Sequence, residues 1–89
     1  MKPLFIPLKK PYFLAFADGS KRAEYRVYGP RWNERTCWPG RLATLSCGYS
    51  GARISARVAS FRTVVSCESE ALVEFFGKGI TLAVIGMDL

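Results

Sequence analysis

The sequence contains no histidine, and that absence removes more chemistry than any other single feature. Ser-His and Cys-His nucleophilic dyads, histidine-ligated zinc and imidazole acid–base catalysis are all excluded. Any catalysis falls to Lys, Glu, Asp, Tyr, Ser, Thr or Cys. Cysteine is scarce as well: Cys37, Cys47 and Cys67 are odd in number, widely spaced and form no C-x-x-C pair. The pattern argues against a secreted disulfide framework and against a zinc ribbon. Buried free thiols are expected, with no metal and no other cofactor. Long apolar runs are also missing. Ile80 to Ile85 falls far short of the roughly 20 residues of a membrane span. The opening MKPLFIPLKK is broken by Pro3, Pro7, Lys9 and Lys10, unlike a signal peptide. The expectation is a cytoplasmic protein with no membrane partner.

Acidic residues are few and unevenly placed. Residues 1–62 hold twelve of the thirteen Lys and Arg against Asp18, Glu24 and Glu34, a net +9. Residues 63–89 hold Lys78 against Glu68, Glu70, Glu74 and Asp88, a net −3. Eight of the cations are Arg, whose planar fork suits phosphate. A basic domain with an acidic end favours a polyanionic partner, most often nucleic acid. The competing reading is a cationic domain with no such partner. Eighty-nine residues suffice for a single domain, 1–89, with a modest core and short elements.

Hydrophobic patterning predicts a mostly β, α+β fold in the order β-α-β-β-β-α-β, which suits a small barrel or a highly curved sheet with two minor helices. Leu4 to Leu8 reads as a strand at an edge, because of its prolines. Pro11 opens a short helix that Gly19 stops, with Phe13, Phe16 and Ala17 on a shared face. Ala23 to Tyr28 alternates, and the expected buried side is Tyr25 and Val27, with Glu24 and Arg26 facing a cleft. After a long connection over residues 31–40, strands 41–47 and 53–64 flank the turn Gly48-Tyr49-Ser50-Gly51 as an antiparallel hairpin. Ser66 to Phe76 reads as an acidic helix, capped by Ser66 or Ser69 and ended by Gly77. Ile80 to Ile85 closes the sheet.

One stretch, Gly19-Ser20-Lys21-Arg22-Ala23-Glu24-Tyr25-Arg26, fits the pattern G-x-K-x-x-E-x-R and follows a strand and a short helix. Glu24 and Arg26 share one face of their strand, so they can pair and leave Lys21 to meet an anion. The alternative is a structural salt bridge beside a solvated lysine. The arrangement resembles the ASCH (activating signal cointegrator homology) family of small PUA-like β-barrels, and Gly79 to Asp88 looks like that family's last strand. The resemblance implies a PUA-like barrel with two short helices and a cleft at its mouth for RNA or a nucleotide. It also implies a second activity: one small bacterial group of the family hydrolyses the acetyl amide of N4-acetylcytidine. The lysine of that group matches Lys21, but its threonine corresponds to Glu24 here. Its glutamate falls in the later helical region, where Glu68, Glu70 and Glu74 compete.

A second constellation interleaves Arg31, Trp32, Arg35, Trp38 and Arg41. Arg clamps phosphates while an exposed Trp stacks on a base. Trp38, beside Cys37, fits the core; Trp32 fits a stacking platform and a core position equally. Arg53 and Arg57 share a strand face and either extend a basic stripe or decorate a solvated one. The expected nucleic-acid-binding set is therefore Lys21, Arg26, Arg31, Trp32, Arg35, Arg53 and Arg57. Lys21 and Glu24 would be catalytic if the chain were a nucleic-acid-directed hydrolase, whether ribonuclease or amidohydrolase. A protein-interaction or inhibitory module is the third reading, and the oligomeric state is left open.

Overall fold

The sheet grows from short strands, of which Leu4–Leu8 alternates between core and surface while Thr81–Asp88 is buried throughout Leu82 to Ile85. The computed structural model describes residues 2–89, apart from the side chain of Glu68. Strands β1 (Leu4–Leu8), β2 (Ala23–Val27), β3 (Leu42–Cys47), β4 (Arg53–Val65) and β5 (Thr81–Asp88) form one curled sheet in the order β1-β3-β4-β5-β2. Helix α1 (Lys10–Ala17) follows β1; a 3-10 turn (Ser66–Glu68) and helix α2 (Glu70–Phe76) lie between β4 and β5. Only the β1–β3 pairing is parallel. Strand β4 serves as a spine, pairing with β3 through its first residues and with β5 from Arg57 onward.

The core lies within the curl. Leu4, Ile6 and Leu8 project from β1 toward Ala43 and Leu45 of β3, Ala56 and Val58 of β4, and Ala83, Ile85 and Met87 of β5. Phe13 and Phe16 of α1, with Trp32 and Cys37 from the long loop, complete the cluster. Each large apolar side chain so buried contributes about 1.5–3 kcal/mol. Pro11 costs α1 nothing, because first-turn amides have no partner within the helix. Ala17, expected beside the two phenylalanines, is exposed at the helix end.

Pro7 reveals how β1 is used. Main-chain N–H and C=O of one strand residue leave on the same side. The Pro7 carbonyl accepts from Arg26 Nη2 at 2.6 Å, across the free edge of β1. The missing proline N–H therefore also lies on the free edge, and the ladder with β3 loses nothing.

A bulge between Val58 and Ser60 resets the phase of β4. Val58 opposite Met87 and Phe61 opposite Ile85 thereby both face the core, three positions apart, which simple alternation forbids. Ser60 lands opposite Gly86, and a Cβ at Gly86 would overlap the Ser60 hydroxyl.

Four expectations are decided by the structure. First, of a small barrel and a highly curved sheet, the chain forms the curved sheet, a half-barrel with β1 and β2 as its edge strands. Five short strands curl without completing the circuit. What joins the edges is the Arg26 side chain on the Pro7 carbonyl. Second, β2 is buried on its charged side. Glu24 is 7% exposed and Val27 is 52% exposed, with Tyr25 half-buried. Glu24 and Arg26 do face a cleft, as expected, but Tyr25 and Val27 are not the buried pair, because Glu24 lies across from Ile85 and Arg26 from Ala83 on the core face.

Third, Ser66 to Phe76 is not one helix. Ser69 adopts extended φ −147°, ψ 133°, separating the 3-10 turn from a seven-residue α2. Neither Ser66 nor Ser69 caps through its side chain. Ser66 is buried instead, its hydroxyl donating to the Gly77 carbonyl and accepting the Ile80 N–H at 2.9 Å, which ties the two ends of the excursion together. Fourth, of the three free cysteines only Cys37 is buried; Cys47 is half-buried and Cys67, in the 3-10 turn, is exposed. Among the described residues no helix is long and apolar enough to cross a membrane.

Gly86→Ala is expected to destabilise the domain by about 1 kcal/mol or less, because the exposed Ser60 hydroxyl must turn to another rotamer. Urea denaturation should show Ser60→Gly restoring most of that loss in the double variant. An equal loss in the single and double variants would exclude the overlap as its cause.

Candidate functional site

The turn between α1 and β2 is built to hold one lysine still. Gly19 takes φ +84°, outside the usual range of residues with a Cβ, and its N–H returns to the Phe16 carbonyl. Asp18 Oδ1 accepts the Ser20 N–H at 2.8 Å, and Ser20, through its side chain and then its N–H, holds the Asp18 carboxyl below the usual carboxylate range. The Lys21 N–H closes the turn onto the Ala15 carbonyl at 3.0 Å. Lys21 Nζ then sits 5.4, 5.5 and 5.9 Å from the ring centres of Tyr12, Phe16 and Tyr25. Aromatic faces and a nearby carboxylate stabilise a cation there.

That carboxylate is Glu24. Its Oε1 lies 3.4 Å from Lys21 Nζ, and its Oε2 accepts from Arg26 Nε at 2.9 Å and Nη2 at 2.8 Å. Arg26 also reaches the Pro7 carbonyl and lies 4.8 Å from the centre of the Trp32 ring. Both charges of the Glu24–Arg26 pair are thus fully engaged. Burying such a pair is favourable only when geometry and extra hydrogen bonds offset the loss of hydration, and here both are supplied.

Beside this group opens a cleft of about 530 Å³. It is lined by Pro7, Leu8 and Lys9 at the end of β1, by Tyr12 of α1, and by Lys21, Glu24, Tyr25 and Arg26 of the turn and β2. Helix α2 supplies the remaining wall through Ala71, Leu72, Phe75 and Phe76. None of the α2 residues is buried; Phe75 is 61% exposed and stacks at 4.8 Å, tilted, on Phe76. The cleft is a mostly apolar slot lined by aromatic side chains and by one charge cluster, Lys21, Glu24 and Arg26. Such a shape accepts a flat, partly apolar ligand that carries an anionic group.

The site residues expected from sequence divide into three groups. Lys21, Glu24 and Arg26 come together at the cleft, although Arg26 is spent on holding Glu24 and Pro7. Trp32 is buried in the core with Arg26 and Arg31 against its ring, so it is no exposed stacking platform. The reason lies in Asn33, whose side chain bonds the Gly29 carbonyl and the Arg35 and Thr36 amides and folds the loop back over the sheet. Trp38 is half-buried beneath Arg41. Arg31 and Arg35 are exposed on that loop, and Arg53 and Arg57 on the outer face of β4. Nearby, the Tyr28 hydroxyl donates to Glu34, which raises the Tyr28 phenol and lowers the Glu34 carboxyl from their usual ranges.

Sequence reasoning missed Tyr12, Tyr25 and the aromatic face of α2 as cleft walls. A signal existed: the apolar residues of 70–76 outnumber what so short a helix can bury. Glu70 and Glu74 are exposed and do not line the cleft, and the side chain of Glu68 lies outside the described residues. Among the described residues, no group of three His, Cys, Asp or Glu side chains could hold a metal.

Arg26→Ala should lower the unfolding free energy by about 3–5 kcal/mol, because it strands a buried carboxylate and unfastens the edge of β1. Adding Glu24→Gln should recover part of the loss. Chemical denaturation of the single and double variants measures the coupling, and strictly additive losses would exclude it.

Comparison of the chain with protein-family models, with curated proteins and with solved structures returns no match.

Proposed function

We propose that this chain is an RNA-binding module that takes one unstacked nucleotide into the cleft. The observation that carries the reading is that Lys21, held beside the Tyr12 and Tyr25 rings, lines a cleft whose other lining residues include Phe75 and Phe76. The base of a single-stranded nucleotide would lie between Tyr12, Tyr25 and Phe75, and Lys21 would meet its phosphate. RNA-binding proteins recognise splayed bases in this manner, by stacking and by charge. The net charge of +6, concentrated before residue 63, supports a polyanionic ligand. The resemblance of Gly19 to Arg26 to the ASCH pattern supports the same reading, as do the curled, mostly β sheet and its two helices. Membership of the PUA-like class is part of this proposal.

Hydrolysis is less well supported. A nucleophilic lysine needs a free lone pair, whereas a carboxylate and three aromatic faces surround Lys21 Nζ. Glu24 already accepts from Arg26 twice, and the cleft-facing side of α2 is apolar.

Titration of a labelled single-stranded RNA at several salt concentrations tests the proposal. Affinity should fall with salt, by a slope of about −0.7 for each phosphate contact. Lys21→Ala should reduce affinity about tenfold and the slope by about 0.7. Lys78→Ala, in the acidic part of the chain, should change neither. Equal effects of the two substitutions, or salt-independent binding, would show that the cleft is not the site.

A further inference from the structure

Beyond the cleft, the outer face of the sheet carries a second set of features that the core does not use. Phe5 and Pro7 alternate with the buried residues of β1 and so project outward. Pro7 is also a wall of the cleft, so the outer face begins where the cleft ends. Next to Phe5 lies Tyr49 of the β3–β4 turn, ring centres 6.2 Å apart; Tyr49 is 74% exposed. The Arg53 guanidinium sits 5.2 Å from the centre of the Phe5 ring.

Arg53 and Arg57 are held in place without being neutralised. Arg53 Nη2 donates to the Tyr49 carbonyl at 3.1 Å, and Arg57 Nη1 donates to the Gly40 carbonyl at 2.6 Å. Neither forms an ion pair among the described residues, although Asp88 lies across from Arg57 in the register of β4 and β5. Four residues of strand separate the two arginines by roughly 13 Å. Past the bulge, Arg62 is exposed on the same outer face.

We infer that this face is a track for single-stranded RNA, continuing from the cleft across Phe5 and Tyr49 and along the arginines of β4. It rests on the RNA reading of the cleft for its direction, but on different residues. Charge complementarity commits the occupant to a polyanion. The aromatic pair commits it further, to a polyanion that carries a flat base at every unit beside its phosphate, whereas the Asp and Glu side chains of an acidic peptide do not stack on Tyr49. The orienting carbonyls leave the other guanidinium nitrogens of Arg53 and Arg57 directed at phosphates.

The test compares decauridine with uridine 5′-monophosphate as ligands of the full chain. Tyr49→Ala, a surface substitution in a turn, should weaken decauridine binding about tenfold and leave the salt slope and mononucleotide binding unchanged. Arg53→Ala should weaken decauridine and reduce the slope by about 0.7, again sparing the mononucleotide. Lys21→Ala should weaken both ligands. Unchanged decauridine affinity in both Tyr49→Ala and Arg53→Ala would overturn the track while leaving the cleft intact. Loss of decauridine binding in those variants by a protein that does not bind the mononucleotide would support the track and remove the cleft reading. Displacement of decauridine by decaglutamate at equal concentration would overturn the track, since charge alone would then suffice.

Discussion

The ion pair between Glu24 and Arg26 is the constraint on which the rest of this structure depends. A carboxylate that is 7% exposed and sits among core residues would be severely destabilising by itself. Two bonds from one guanidinium and the ammonium of Lys21 make it tolerable, and the same guanidinium reaches the opposite edge of the sheet at Pro7. One side chain therefore satisfies a buried charge, fastens two free edges and packs on Trp32. The polarity of β2 follows from it. So does the position of Lys21, which has a fixed anion on one side and an open cleft on the other.

The incomplete circuit of the sheet explains why there is a cleft at all. A closed barrel of this size fills its interior with side chains. Here the seam between β1 and β2 is spanned by polar groups that need room, and α2 stands beside the opening with its aromatic residues uncovered. The apolar walls and the charge cluster thus have a common origin in the unpaired edges.

Local patterns in the sequence were legible wherever a single element decided the outcome. The prolines of β1, the hairpin around Gly48 to Gly51, the stop at Gly19 and the alternation of residues 23–27 all appear in the structure at or near the expected positions. What escaped was set by contacts between distant residues. The buried side of β2 depends on Ile85, Ala83 and Pro7, none of which is visible from residues 23–28 alone. Trp32 is drawn inward by the turn around Asn33, a hydrogen-bonding role that composition does not announce. The break at Ser69 comes with Ser66 being pulled inward to satisfy Gly77 and Ile80. In the site, the Glu24–Arg26 pair was identifiable from its spacing, whereas the ion pair of Lys21 with Glu24 and the walls contributed by Tyr12 and α2 needed the fold to bring them near.

The spine formed by β4 also orders the events by which the chain reaches this state. Its first residues pair with β3 across a short turn, and its later ones pair with β5 across the α2 excursion, so two neighbouring hairpins meet at Arg57. Both close small loops and lose little chain entropy. By contrast, Leu4 must find Ala43 and Ala23 must find Gly86, pairings that bridge much longer stretches. Non-local pairings form slowly. The central strands are therefore expected to assemble first, β1 and β2 to dock onto them afterwards, and the bond from Arg26 to Pro7, which requires both, to form last. By the same logic the amides of β4 and β5 should be the best protected from exchange, while the seam and the cleft beside it should open more readily.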